Sequence, residues 1–347
     1  MNVQNLEVTA NALIAEGKGI LAADEGYPSI EKRLKSIGLP STKENRRLWR
    51  QLLFTTPTIG EYISGVILFD ETIRQQADNG VSFVDVLTHQ GVIPGIKVDK
   101  GAKPLAGSPK ETITEGLDGL RDRLNEYLDL GARFTKWRAV ITIGRGIPTP
   151  YCIDVNAHAL ARFAALSQEA GLVPIVEPEV LMDGDHDIVR CFEITEATLH
   201  RVFQALSEQG VIYESMLLKP NMVLSGKDAP NRARPDDVAE ATIRCLKRSV
   251  PAAVPGVVFL SGGQSDAEAT VNLDAVNRRA YTVPWQLSFS YGRALQATPL
   301  KTWGGYPGNV QRAQEAFLHR AKVTSAACAG HYTADLEKEH DGGYCLL

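Results

Sequence analysis

Short apolar runs recur along the chain, and segments with a helical spacing of apolar positions separate them. The middles of these runs lack the polar–apolar alternation of a strand with one face in solvent, which predicts strands covered on both faces. The ends of successive runs lie about 30 to 45 residues apart, enough for a strand, a helix and two loops. The eight predicted strands occupy residues 19–24, 65–70, 92–99, 134–141, 173–180, 216–221, 257–263 and 285–292.

Helix signals fill the intervals between the runs. Ser41-Thr42-Lys43-Glu44 and Ser265-Asp266-Ala267-Glu268 have the spacing of capping boxes, and Pro235 followed by two aspartates is typical of a first helical turn. Glycines just beyond amphipathic stretches mark helix ends. The further helices predicted in this way cover residues 114–130, 156–170, 195–209 and 309–329.

Eight strand–helix units in series predict one closed parallel (β/α)8 barrel, the TIM-barrel class of α/β fold, over residues 1–330. An open, doubly wound parallel sheet is the alternative that the same pattern allows. Residues 331–347 are polar and contain Asp341-Gly342-Gly343, so we expect them to form a mobile C-terminal tail.

Composition narrows the classes of function. The 347 residues carry a net charge of −4, so no basic surface indicates nucleic acid. No apolar run approaches the ~18 residues that a membrane-spanning helix requires. The five cysteines are scattered without a C-x-x-C pair, which favours free thiols in a reducing compartment. Because the N-terminus also lacks the pattern of a secretion signal, we expect a cytoplasmic protein.

A single lysine, Lys219, ends the sixth apolar run. If the run is a buried strand, the surrounding low dielectric disfavours the charged ammonium and favours a free amine. A free amine at the mouth of a pocket can attack a ketone and form a Schiff base. Taken alone, the same position also suits a lysine that extends its ammonium to solvent from a strand end.

Other strand ends carry charges as well. Lys136 and Arg138 are two residues apart, as are Glu177 and Glu179, so each pair projects to one side of its strand. The loops at strand ends form the active face of barrel enzymes, so we expect these charges to converge there. Buried charges must pair or bind a ligand, and a salt-bridged plug without chemistry is the alternative. The remaining charges at predicted strand ends are Asp24, Lys97 and Asp99.

The last two predicted strands end in small and basic residues. Ser261-Gly262-Gly263 precedes a predicted helix start, where backbone N–H groups can face an anion. The LSGGQ string at 260–264 resembles an ABC-type ATPase signature, but the chain has no G-x-x-x-x-G-K-[ST] loop. The acidic run at 183–187 lacks the later ligands of a calcium loop, and the histidines lack zinc-ligand spacing. We therefore predict no metal site and no cofactor.

Together these motifs resemble the class I (Schiff-base) fructose-bisphosphate aldolase family, in order and at family-like spacing from about residue 18 to residue 330. The resemblance implies a (β/α)8 barrel that cleaves fructose 1,6-bisphosphate reversibly to dihydroxyacetone phosphate and glyceraldehyde 3-phosphate. It also implies a homotetramer that uses no metal. The motifs that carry it are GKGILAADE at 17–25, GIKVDKG at 95–101, KWR at 136–138, IVEPE at 175–179, LLKPNM at 217–222, FLSGGQS at 259–265 and FSYGRALQ at 289–296.

The resemblance also implies roles for individual residues. Lys219 would form the Schiff base, Glu177 would be the general acid and base for imine formation, and Asp24 would handle the C4 hydroxyl proton. Lys136 would supply a positive field, with Glu179 and Lys97 completing the charge network. The C1 phosphate would lie at the loop of Ser261, Gly262 and Gly263 together with Ser290, Gly292 and Arg293, and the C6 phosphate near Ser29, Arg33, Arg138 and Arg46.

The chain departs from the family pattern in two places. The family commonly reads LAADESTGSI, whereas Gly26-Tyr27-Pro28 replaces the Ser-Thr-Gly of that motif here. Many members end in a tyrosine that reaches the active site, whereas Tyr344 is followed by three more residues. Two other functions stay open at this point: a transaldolase-like or deoxyribose-phosphate aldolase-like lyase, and a non-catalytic scaffold that kept the barrel.

Overall fold

A computed structural model of the protein, which describes residues 3–338, is a closed barrel of eight parallel strands. Neighbouring strands pair in parallel around the ring, in the order β1-β10-β9-β8-β7-β6-β3-β2. The single (β/α)8 barrel predicted from the sequence is thereby confirmed, and the open sheet is excluded. The barrel strands are β1 (Gly19–Ala22), β2 (Ile63–Leu68), β3 (Ile93–Lys97), β6 (Phe134–Ile141), β7 (Val173–Val180), β8 (Leu217–Leu218), β9 (Gly256–Phe259) and β10 (Gln286–Tyr291).

Each of the eight predicted runs overlaps a barrel strand, but β2 and β9 begin earlier than predicted and several strands end earlier. The sixth run shortens to the two residues of β8, and Lys219 follows them directly. The seventh ends at Phe259, which leaves Ser261 in a loop. The charged and small residues that close the runs therefore stand mostly on loops at the carboxyl ends of the strands, where a barrel places its active face.

Helices surround the barrel, and most of them lie between consecutive strands. The first one precedes β1, and the last three follow β10. The helices of the described residues are α1 (Val3–Leu13), α2 (Tyr27–Lys35), α3 (Lys43–Phe54), α4 (Asp70–Ile73), α5 (Phe83–His89), α6 (Leu120–Asp129), α7 (Pro150–Glu169), α8 (Ile188–Glu208), α9 (Pro235–Ser249), α10 (Asp266–Arg279), α11 (Arg293–Trp303), α12 (Val310–Cys328) and α13 (Ala334–Lys338).

Helix starts were predicted less well than helix ends. The cap of α3 is Thr42 rather than Ser41, because the Thr42 hydroxyl accepts from the Asn45 N–H at 3.1 Å. Helices α7 and α8 begin six and seven residues before the predicted positions 156 and 195, respectively. Thr149 and Asp187 cap them, and neither was recognised as a start signal. The capping box at Ser265 and Glu268 is confirmed.

The helix predicted over 114–130 is wrong in its first part. An antiparallel hairpin of β4 (Ala102–Leu105) and β5 (Ser108–Thr114) precedes it, and the helix is only α6. Thr112 and Thr114 donate hydroxyl hydrogen bonds to backbone carbonyls of β6. Gly119, at φ +64°, is the N-cap of α6, a backbone conformation that favours glycine. These long-range contacts determine that the segment forms a hairpin and not a helix, and a local sequence pattern cannot show them.

Helix α1 closes the amino end of the barrel. Its buried side chains Leu6, Ala10 and Leu13 pack with Ile14 against apolar residues that point into the barrel from the strands. This cluster is separate from the larger core between the strands and the outer helices. The amino end is therefore filled by apolar packing. The strand residues of the cluster are Ile20, Ala22, Ile67, Phe134, Val173, Ile175, Leu217 and Val258.

Residues 331–338, the start of the predicted tail, pack on the barrel's outer helices. The Tyr332 N–H donates to Asp274 at 2.9 Å, and Glu337 of α13 pairs with the buried Arg320. The rest of the predicted tail, with Tyr344, lies outside the described residues. Across residues 3–338, no helix is long and apolar enough to cross a membrane.

Candidate active site

The carboxyl ends of the strands surround a cavity of about 1410 Å³. Because the barrel is closed and parallel, residues far apart in sequence meet at this one end. Of the sixteen residues predicted for the site, Arg46 alone is absent from the cavity wall. The fifteen that line it are Asp24, Ser29, Arg33, Lys97, Lys136, Arg138, Glu177, Glu179, Lys219, Ser261, Gly262, Gly263, Ser290, Gly292 and Arg293.

Two lysines and two carboxylates form a buried cluster at the floor of the cavity. Lys136 Nζ lies 2.6 Å from Asp24 Oδ2 and 3.1 Å from Glu177 Oε2. Lys219 Nζ lies 3.1 Å from the other Glu177 oxygen, Oε1. Lys136, Glu177 and Lys219 are each 3% exposed and Asp24 8%. Glu177 therefore bridges the two lysines, and Lys136 bridges the two carboxylates.

The cluster keeps its carboxylates ionised. Burial alone would raise the pKa of Asp24, but the ammonium groups of Lys136 and Lys219 outweigh it and hold this pKa well below its usual range. The pKa of Glu177 is lowered in the same way, against the effect of burial, by Lys136 and Lys219. Conversely, burial would lower the pKa of Lys136, but Asp24 and Glu177 raise it well above its ordinary value. Lys136 is thus a fixed positive charge.

A second ring of charges lies beside this cluster. Lys97 Nζ is 2.9 Å from Asp99 Oδ1, and the other Asp99 oxygen accepts from the Arg138 backbone N–H at 3.2 Å. The Arg138 side chain pairs with Glu179. Register explains the proximity, because β6 and β7 pair along their whole length, with Arg138 opposite Glu177. Each cation here already has a carboxylate partner.

A concentration of small and polar groups occupies the ends of β9 and β10. The Ser290 hydroxyl is buried and has no hydrogen-bond partner among residues 3–338. Gly292 is the N-cap of α11 and contributes no capping side chain, so the first N–H groups of that helix lack a side-chain cap. Arg293 follows it, and the one hydrogen bond of its side chain within the described residues reaches the Gln264 carbonyl at 3.3 Å. This end of the cavity can bind a phosphate.

Glycine is required at Gly263, where φ is +80° and a Cβ would lie 2.4 Å from the Met182 side chain. At Gly262 a Cβ would lie 2.7 Å from Glu179 Oε1 and 2.9 Å from Leu260, so a larger residue would push the Glu179 carboxylate away from Arg138. The glycines thus let the loop after Ser261 approach Glu179 closely.

Arg33 lines the cavity beside the Gly292–Arg293 turn. A Cβ built on Gly292 would be 3.5 Å from Arg33 Nη2, so Arg33 stands beside the Arg293 end. A smaller cavity of about 310 Å³ between α2 and α11 also has both arginines in its wall. Arg33 pairs with Glu25, which in turn pairs with the buried Arg50 and accepts from Gln296 at 2.9 Å.

Arg46 is not part of the cavity wall. Its guanidinium makes a two-pronged pair with Glu71, at 2.7 and 2.6 Å, and lies 4.9 Å from the centre of the Tyr27 ring. Tyr27 itself lines the cavity, so Arg46 contacts the cavity wall from behind through this ring.

The sequence reasoning missed several residues of the cavity wall. Glu25 directly follows Asp24, and a second carboxylate in the same loop was an available signal. Lys100 follows the noted Asp99, whereas nothing local marks Lys103 of the hairpin or Lys227, which pairs with Asp183 across two loops. These rim lysines add positive charge around the mouth, as an anionic substrate requires.

The closed barrel and the buried lysine–carboxylate cluster at its carboxyl end are the features expected of a barrel lyase that works through a lysine amine. Comparison with known proteins agrees with this class. The family described as "Fructose-bisphosphate aldolase class-I" matches residues 5–344. The chain belongs to this family.

Relatives from bacteria and plants match almost the whole chain. It is 56% identical to the "Probable fructose-bisphosphate aldolase class 1" of Xanthomonas campestris pv. campestris, over 96% of this chain and 99% of that protein. It is 54% identical to "Fructose-bisphosphate aldolase 4, cytosolic" of Arabidopsis thaliana, over 96% and 86% of the two chains. A solved structure of fructose-bisphosphate aldolase from Plasmodium falciparum, in complex with TRAP and a small molecule inhibitor, superposes with a TM-score of 0.94 at 49% identity, covering 96% of each chain.

Proposed function

We propose that this class I fructose-bisphosphate aldolase forms its Schiff base on Lys219 and cleaves fructose 1,6-bisphosphate to dihydroxyacetone phosphate and glyceraldehyde 3-phosphate. One observation carries the assignment. Lys219 lies within reach of a carboxylate, at 3.1 Å, and that carboxylate is shared with Lys136, a permanently charged lysine. Lys136 pairs with two carboxylates, whereas Lys219 pairs with one. Lys97 also pairs with one carboxylate, Asp99, but its side chain is 16% exposed, against 4% for Lys219.

Imine formation needs a group that moves protons from nitrogen to oxygen. The Lys219 nitrogen forms a bond to the C2 carbonyl carbon of the substrate, and two hydrogens of its ammonium form leave with the C2 oxygen as water. Glu177 relays these protons, because its Oε1 is the polar atom that faces Lys219 Nζ. The product is an iminium that keeps one hydrogen on nitrogen and its positive charge.

The iminium then serves as the electron sink for cleavage. The C3–C4 bond breaks, its electron pair moves into the iminium to give an enamine, and the C4 hydroxyl proton passes to Asp24. Asp24 is suited to accept it, since it is ionised and oriented by Lys136 at 2.6 Å. Protonation of C3 and hydrolysis of the imine release dihydroxyacetone phosphate and restore Lys219.

Two separated groups of residues would hold the two phosphates. Ser261, Ser290 and the Gly292–Arg293 turn supply a hydroxyl-rich helix N-terminus for the C1 phosphate. On the other side of the mouth, Ser29, Arg138 and the rim lysines would receive the C6 phosphate. Arg33 stands near the first group: its Nη1 pairs with Glu25, and its Nη2, beside Gly292, can donate to the C1 phosphate.

Reductive trapping tests the assignment of Lys219. Borohydride added with dihydroxyacetone phosphate should inactivate the enzyme irreversibly, and peptide mapping should place the adduct on Lys219. Lys219→Met should abolish both labelling and turnover, whereas Lys43→Met, an exposed lysine of α3, should change neither. An adduct on Lys97 or Lys136 would refute the assignment.

We further infer a homotetramer in the cytoplasm. The tetramer rests on family membership alone. The cytoplasmic location rests on the pattern of free cysteines, four of which are buried thiols in the structure. A relative in Arabidopsis thaliana is named cytosolic. Sedimentation equilibrium of the purified protein should give four times the chain mass, and a dimer would contradict the assembly. Cell fractionation with a cytosolic marker protein tests the location.

A further inference from the structure

We propose that Tyr27 determines how strongly the enzyme prefers a bisphosphate over a monophosphate sugar, by contacting the substrate end farthest from Lys219. The inference rests on the proposed function. It starts from a part of the cavity wall where this chain departs from the family motif, Gly26-Tyr27-Pro28.

The position of Tyr27 relative to Lys219 follows from the order of the strands. Counting around the ring, β2 is four strands from β8 in either direction, so the two lie across the barrel from each other. Lys219 follows β8, and the Tyr27 ring packs edge-on against Phe69, which follows β2, at 5.2 Å between centroids. Tyr27 therefore stands at the wall opposite the Schiff-base lysine.

The ring is held in place although it is half exposed. Phe69 contacts one edge, and the Arg46 guanidinium lies over its face at 4.9 Å. Arg46 is fixed in turn by its two hydrogen bonds to Glu71, and Pro28 restricts the backbone just after Tyr27. A side chain that is 51% exposed and held on two sides can be a rigid wall of a binding site.

The phenol hydroxyl is available to a ligand. It has no hydrogen-bond partner within residues 3–338, and the residue lines the cavity together with Ser29 of the same helix turn. A phenol O–H donates readily to a phosphate oxygen, and a hydrogen bond to a charged group is among the stronger ones. A substrate anchored at Lys219 and at Arg293 extends its other end toward this wall. Tyr27 thus contacts the C6 phosphate.

Kinetics with two substrates test the role. Tyr27→Phe should raise the KM for fructose 1,6-bisphosphate about tenfold more than the KM for fructose 1-phosphate, because it removes one charge-assisted hydrogen bond that the monophosphate cannot make. Tyr281→Phe is the matched control, since Tyr281 is 85% exposed and lies before β10, at the other end of the barrel. An equal KM change for both substrates, or none, would overturn the proposal.

Arg46 offers a second, indirect test. Arg46→Met should raise the same KM ratio through loss of support for the ring, and the double variant with Tyr27→Phe should show less than the product of the two effects. The ratio is insensitive to partial loss of folded protein, so a merely structural role of Arg46 would leave it unchanged. Borohydride trapping distinguishes the two proposals: trapping on Lys219 with an unchanged ratio refutes the role of Tyr27 alone, and absent trapping refutes the Schiff-base function.

Discussion

The two ends of the barrel are built from the same strands but filled in opposite ways. At the amino end, Leu13 of α1 and its apolar neighbours pack against inward-facing residues such as Ile20 and Leu217. At the carboxyl end, the interior of the barrel is occupied by charged side chains, among them Lys136 and Glu177. Apolar packing gains free energy from burial, whereas buried charges lose hydration that their pairing only partly returns. Apolar packing at the amino end therefore stabilises the barrel, whereas the charges at the carboxyl end supply the groups that catalysis needs.

The largest expected effect concerns the charged end. Lys136→Met should reduce kcat by at least ~100-fold, because Asp24 and Glu177 lose their shared cation and with it their orientation and ionisation. Steady-state kinetics with purified, folded protein would measure it. A variant that keeps near-normal kcat would show that the cluster is a structural plug.

A substitution at the amino end should do the opposite, lowering stability without lowering kcat. Leu13→Ala should lower the free energy of unfolding by about 2–5 kcal/mol, since the side chain is fully buried, but leave kcat of the folded enzyme close to normal. Val8→Ala, in the same helix and 65% exposed, should stay within about 0.5 kcal/mol of the original protein. Denaturant titration checks both. A large fall in kcat for Leu13→Ala would contradict the division between the two ends.

The phosphate end should respond through binding. Arg293→Ala removes a charge-assisted contact worth about 1.5–3 kcal/mol, so KM should rise with little change in melting temperature. Arg162→Ala, an exposed arginine of α7, serves as control. Collapse of the melting transition in Arg293→Ala would make this arginine structural and remove the phosphate assignment.

Acid should weaken the charged end selectively. The pKa values of Asp24 and Glu177 are lowered in the folded protein, so their ionised forms stabilise it at neutral pH, and this stability is lost as pH falls below the ordinary carboxyl range near 4. Glu177→Gln should flatten the dependence of unfolding free energy on pH between about 5 and 3. The loss in Leu13→Ala should be the same at every pH in that window, and a matching slope in both variants would contradict the assignment.

The smallest expected effect is that of removing metal ions, which should not change turnover at all. Dialysis against EDTA should leave turnover unchanged, because the Schiff base on Lys219 supplies the electron sink that a metal would otherwise provide. Activity that falls and returns with zinc or cobalt would refute the mechanism.

The sequence by itself determined the eight strands, the barrel and the residue types of the cluster. Lys219 ends an apolar run, and Glu177 and Glu179 are two residues apart. Both patterns are local, so they can be recognised without any knowledge of the fold. The carboxyl ends of parallel strands always meet at one edge, which is why these charges could be expected to converge. Family resemblance then supplied their roles.

Only the tertiary structure decided which charges pair and where each cation stands. The sequence assigns Arg33, and less firmly Arg46, to the C6 phosphate. In the structure Arg46 pairs with Glu71 and is absent from the cavity wall, whereas Glu25 holds Arg33 beside Gly292. Helix α1, which closes the amino end, and the β4–β5 hairpin were not predicted from the sequence for the same reason. Their positions depend on contacts between residues distant in the chain, and the free energy of such contacts exists only once the strands have brought both partners together.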